Sequence, residues 1–172
     1  MKNKLFGRPQ AQGVITAVLV FAAALLVAGQ SAWAATWKGL EPFVSKRADV
    51  ERVLGAPTAD HIAENGTLHF KVSGGAVTVF FVTPKFIAAK KLPAGLEGTV
   101  LQIVLQHERA TDTPESLNVV TNSAFKRQAD KGVEVFTNEK EGVIYTFVDS
   151  RLKTTRYAYS TDQLTRIQRG DK

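Results

Sequence analysis

Apolar residues in the stretch 45–57 recur at Val50, Val53 and Leu54. This is the i, i+3, i+4 spacing of a single helical stripe. Both ends of that helix are written in the chain. Ser45 is placed to cap the first free N–H groups, although Ala48 stands where a full capping box would want Glu or Gln. Gly55 supplies a left-handed stop, and Pro57 forbids continuation. So short a helix is marginal alone and must dock its stripe on another element.

Period-two patterns supply the elements to dock on. In 67–72, Leu68, Phe70 and Val72 alternate with Thr67, His69 and Lys71, the mark of a half-buried strand. Gly74-Gly75 signals a hairpin into 76–83, which is apolar on both faces and predicts a central strand ended by Pro84. Residues 85–98 predict a loop. Residues 99–106 predict a strand with Leu101, Ile103 and Leu105 on one face. The run 114–128 is weakly periodic and predicts one short helix or two turns. A hairpin of 133–137 and 143–148 follows, then a strand at 153–159 and a charged tail at 162–172 anchored only by Leu164 and Ile167. The order helix, three strands, helical piece, three strands predicts an α+β domain. It is mostly antiparallel sheet with one or two short helices on one face, and it suggests two helix-plus-three-strand halves. Leu54, Phe70, Val79, Ile103 and Tyr145 are the expected core.

The first 34 residues stand apart from that pattern. Lys2, Lys4 and Arg8 precede an uncharged run at 14–28, and Ala32-Trp33-Ala34 has the form of a cleavage site. A cleavable signal peptide at 1–34 is expected, with a single domain at 35–172. The competing reading, a retained anchor, is disfavoured because the run is shorter than the ~20 residues a spanning helix needs. Three cations and no acid leave with the signal, so the net charge falls from +6 to +3. That is too mild for a nucleic-acid footprint. The chain has no cysteine. This excludes disulfide staples, thiol chemistry, cysteine zinc sites and the lipid-anchoring Cys of lipoproteins.

Three groups of residues carry a resemblance. They are Trp37-Lys38-Gly39-Leu40-Glu41-Pro42, then Ser45, Arg47, Asp49, Val50, Glu51, Leu54, Gly55 and Pro57, and later Thr137-Asn138-Glu139 with Glu141-Gly142-Val143. Together they resemble a group of small exported bacterial proteins of unknown function. That resemblance implies export and a shared fold, and it brings no activity. The short helix running into Leu54-Gly55-Ala56-Pro57 and a hairpin is also similar to the outer-membrane assembly lipoproteins of the SmpA/OmlA type and the related beta-lactamase-inhibitor-protein fold. That similarity covers about 40–81. It implies helices packed on an antiparallel sheet and a role in protein binding.

Catalytic patterns are missing. His61, His69 and His107, even with Glu64, form no ligand motif such as H-E-x-x-H. No G-x-S-x-G elbow exists, and Ser73 beside Gly74 reads as a hairpin residue. Glu139 and Glu141 fall in a turn, not across a cleft. Gly74-Gly75 joins two strands, so it is no phosphate loop. Lys153, Tyr157 and Tyr159 could stack nucleic-acid bases, but export and the small charge argue for a plain polar face. One stretch stands out as a partner contact: Lys85, Phe86, Ile87, Lys90 and Lys91. Exposed, its apolar pair ringed by lysines would suit a protein or an anionic membrane surface. Tucked under, the same pair would cap the sheet.

The expectation is therefore an exported protein, periplasmic or secreted, that is not an enzyme and holds no cofactor or metal. It binds another envelope or secreted protein, with no nucleic acid and at most peripheral membrane contact. The alternatives from other classes are a hydrolase or metal-dependent enzyme with an unfamiliar site, and a carrier of small ligands or lipids on the concave sheet face.

Overall fold

In the computed structural model, which describes residues 34–61 and 66–170, eight strands form one antiparallel sheet. The expected signal segment lies outside the described residues apart from Ala34. The strands are β1 (Ala59–His61), β2 (Thr67–Val72), β3 (Gly75–Phe81), β4 (Val100–His107), β5 (Lys126–Asp130), β6 (Val133–Asn138), β7 (Val143–Val148) and β8 (Arg151–Ala158). Their order across the sheet is β1-β2-β3-β4-β8-β7-β6-β5. Each run of four is a meander, and the two meanders meet through their last strands. The fold is α+β, as the alternation predicts. The halves differ from the expected pattern: each has four strands, and turns at 114–118 stand where the second half would have its helix.

Opposed residues in an antiparallel ladder share a face, so the register writes the core directly. One cross-strand row runs Phe70, Val77, Leu105, Thr155, Tyr145, Phe136. The next runs Leu68, Val79, Ile103, Tyr157, Val143, Asn138. On this face α1 (Arg47–Leu54) lays Val50 and Leu54 against Leu68, Phe70, Val77, Val79 and Ile103. A second cluster of Val119, Phe136, Phe147 and Leu152 lies under the 110–125 segment. The opposite face carries His69, Thr78, Val104 and Arg156 in one row. Of the expected core residues, Phe70, Val79 and Ile103 are buried, whereas Leu54 and Tyr145 are half-buried against their clusters.

Several local expectations are corrected. Ser45 does not cap α1: its hydroxyl accepts from the Glu41 N–H at 2.9 Å, and its carbonyl accepts from the Val100 N–H at 2.7 Å. The N-cap moves on to Lys46, whose N–H donates to the Asp49 carboxylate at 2.9 Å. Val53 points outward, leaving Val50 and Leu54 as the docked stripe. In β4 the register slips between Phe80 and Phe81, so Phe81 faces Val100 and Leu101 is the extra residue of a bulge. Val100 thereby joins Ile103 in the core, and Leu101 packs elsewhere, with Phe43 and Val82.

The predicted loop at 85–98 is a helix, α2 (Pro84–Lys90), followed by a 3-10 turn at Ala94–Leu96. Thr83 caps it, accepting from the Phe86 N–H at 3.3 Å, and Pro84 sits where its missing N–H costs nothing. The charged tail is also helical, α3 (Thr161–Arg169). Strands β1 and β5 have no counterpart among the predicted elements. All five β5 residues are exposed, so no apolar alternation marks it.

Candidate functional site

The residues proposed as a partner contact sit at the end of the sheet where β3 and β8 finish and β4 begins. There α2 and α3 cover a third cluster of Phe43, Val82 and Leu92, joined by Leu101, Tyr159, Leu164 and Ile167. Phe86 and Ile87 belong to that cluster and are half-buried. The Phe43 and Tyr159 rings stack at 4.9 Å, and Phe86 approaches both, at 6.3 and 6.0 Å. The pair therefore caps the sheet end, and no protruding apolar tip forms. Lys85, Lys90 and Lys91 remain exposed on the outside of α2.

The third helix brings more charge to the same end. Ser160 caps α3, accepting from the Gln163 N–H at 3.0 Å. Gln163 donates to the Pro42 carbonyl at 2.8 Å, and Gln168 donates to the Lys90 carbonyl at 2.8 Å. The last turns of α2 and α3 thus lie side by side. Arg169 is exposed beside Gln168, and Arg166 is half-buried one turn earlier. Lys91 closes α2 in the left-handed conformation, φ 53°. Sequence reasoning missed Arg166 and Arg169 because it missed the helix. The signal was present: Ser160-x-x-Gln163 has capping-box form, Leu164 and Ile167 share a stripe, and Gly170 follows as a stop.

A second place with chemistry lies on the helix-covered face. A groove of about 190 Å³ is lined by Trp37, Val72, the 73–75 turn, Leu105 and His107. The Lys38 ammonium stands 5.3 Å from the centre of the Trp37 ring. His107 Nε2 pairs with the buried Thr155 hydroxyl at 2.9 Å. Burial pushes the imidazole below its ordinary value, and Asp112 pulls it partly back, so the ring is neutral near pH 7. Burial raises the Tyr157 and Tyr145 phenols, with the Glu141 charge adding to the effect on Tyr145. Both stay protonated hydrogen-bonding groups. His69 pairs with Thr78 at 3.1 Å on the other face, His61 belongs to β1, and Glu64 lies outside the described residues. The three histidines therefore lie on three different strands, His61 on edge strand β1, His69 on β2 and His107 on β4 near the middle of the sheet. Among the described residues no three His, Asp or Glu side chains gather as a metal site. Glu139 and Glu141 lie within the β6–β7 turn, as the sequence predicts, and Glu139 pairs with Lys126 at 2.7 Å.

An open antiparallel sheet of two meanders with helices at one end and on one face defines the structural class. Within it the chain is similar to a solved DUF4309 family protein, YjgB, from Bacillus subtilis subsp. subtilis str. 168. The TM-score is 0.50 at 13% identity, covering 72% of this chain and 84% of that one. At that identity the likeness is one of fold and transfers no activity. No family model matches the chain, and no curated protein matches it in sequence.

Proposed function

We propose that the protein is an exported, non-catalytic binding module that engages its partner through the α2–α3 end of the sheet. The observation that carries this reading is the division of labour in α2. Phe86 and Ile87 hold the helix to the core, and Lys85, Lys90 and Lys91 project outward beside the last turn of α3. Export is supported by the leading segment and by the resemblance of the 37–57 motif to small exported proteins. The pairing of His69 and His107 with threonine hydroxyls supports a structural role for both rings. The test is to replace Lys85, Lys90 and Lys91 by Ala and compare association with the cell-envelope fraction. Loss of association at an unchanged melting temperature is expected. Stoichiometric zinc in the purified protein, or robust turnover in a hydrolase screen, would overturn the reading.

A second reading rests on the Trp37–His107 groove. Its apolar floor, aromatic wall and neutral imidazole would suit one small apolar ligand with a polar end. Native mass spectrometry of the purified chain tests it: a bound species lost in Trp37→Ala supports a carrier, and a bare mass contradicts it.

A further inference from the structure

Resting on that reading of the α2–α3 end, we infer that the surface it docks on is an anionic phospholipid membrane, held by charge without insertion. Four exposed cations, Lys85 and Lys90 of α2, Lys91 at its cap and Arg169 of α3, accompany one acid on the two helices, Asp162, which lies in the first turn of α3, away from the paired last turns. Two further carboxylates belong to this end: Glu97 follows the 3-10 turn, and Glu41 accepts from the Gln163 side chain at 3.5 Å, at the first turn of α3. The partner must therefore be anionic.

What is missing from this face separates a membrane from a specific protein partner. Tight protein interfaces are anchored by large apolar or aromatic side chains that fill pockets. Among the described residues the exposed large hydrophobics are Val44, Val53, Val120 and Val133, and none of these is on α2 or α3. The aromatics of this end are turned inward onto Phe43 and Tyr159. A surface that offers cations on flexible stems, with small Ala88 and Ala89 between them, matches a plane of mobile phosphate headgroups. The same absence excludes an inserted wedge, and no described helix is long and apolar enough to cross a membrane. Lys91 occupies a left-handed helix stop where glycine is the low-strain choice, a conformation that Lys38 and Lys131 also adopt.

The test is co-sedimentation of the full chain with vesicles of phosphatidylcholine alone or mixed with phosphatidylglycerol. Wild type is compared with the Lys85→Ala/Lys90→Ala/Lys91→Ala variant and with Lys91→Gly. The leading segment is common to all three chains, so it cancels in the comparison. Each lysine near an anionic surface contributes roughly a factor of five in partitioning. The triple variant is therefore expected to bind mixed vesicles about a hundredfold more weakly at low salt, and the difference should vanish at high salt. Lys91→Gly is expected to bind about fivefold more weakly while melting no lower than wild type. Equal binding of wild type and triple variant overturns the inference. So does lysine-dependent retention on polyglutamate without lysine-dependent vesicle binding, which would leave a binding module whose partner is an acidic protein. Loss of both lysine-dependent signals would remove the binding-module reading as well.

Discussion

Two single residues show how tightly the sheet centre is fixed. Gly142, the turn residue just before β7, has φ 73°, and a Cβ there would collide with the Ala158 carbonyl oxygen of β8. The Ala158 N–H donates back to the Gly142 carbonyl at 2.8 Å, so neither backbone can retreat without breaking the pair. Gly142→Ala is expected to destabilise by at least the ~1–3 kcal/mol of a residue forced into this region, read from urea unfolding. His107 supplies a pH dependence. Its folded value lies below the ordinary 6.5, chiefly through burial, so in the interval between the two the unfolded chain binds the proton and the folded chain does not. Stability is therefore lost as pH falls below 6.5. His107→Gln should flatten that acid limb of the melting curve, whereas an unchanged limb would place its origin elsewhere.

At the level of elements, the sharpest expectation concerns α2. Phe86 and Ile87 pack half-buried on Phe43, Val82 and Leu92. Replacing both by Ser should lower stability by about 1–3 kcal/mol for each, less than for fully buried positions. A binding defect without loss of stability would instead return them to the surface. Strand 67–72 was legible because one face is apolar and the other polar, a period that only a half-buried strand needs, and the hairpin of 133–137 and 143–148 was legible as two runs rich in β-branched and aromatic residues around the turn residues 138–142. Strand β5, Lys-Arg-Gln-Ala-Asp, was not, since it buries nothing and is held by backbone pairing to β6. Ion pairs of Lys126 with Glu139 and Arg127 with Glu134 add a few tenths of a kcal/mol at most, exposed as they are. Helix α2 was hidden by Pro84, which reads equally as a strand end and as a first helical residue. The cap on Thr83 decides between them, and that hydrogen bond depends on β3 having already ended at Phe81. The lysines of the candidate site were legible from their order in the chain. Their neighbours Arg166 and Arg169 were not, because the proximity of α2 and α3 is a tertiary fact carried by Gln168 and Lys90.

For the whole molecule, two four-stranded meanders joined at β4 and β8 leave one sheet with both outer strands, β1 and β5, at its edges. Charged β5 is a poor template for further strand addition, which keeps that edge from pairing with another chain. At the α2–α3 end, Lys85, Lys90, Lys91 and Arg169 are exposed. The Ala35 N–H donates to the Glu141 carbonyl at 2.7 Å, and the chain proceeds through Trp37 into the core. A chain beginning at Ala35 would keep that contact with its new amine. The direct measurement is the intact mass and N-terminal sequence of the protein recovered from fractionated cells. The expected result is a chain starting at Ala35 in the envelope or secreted fraction. A chain retaining residues 1–34 and confined to the cytosol would contradict it.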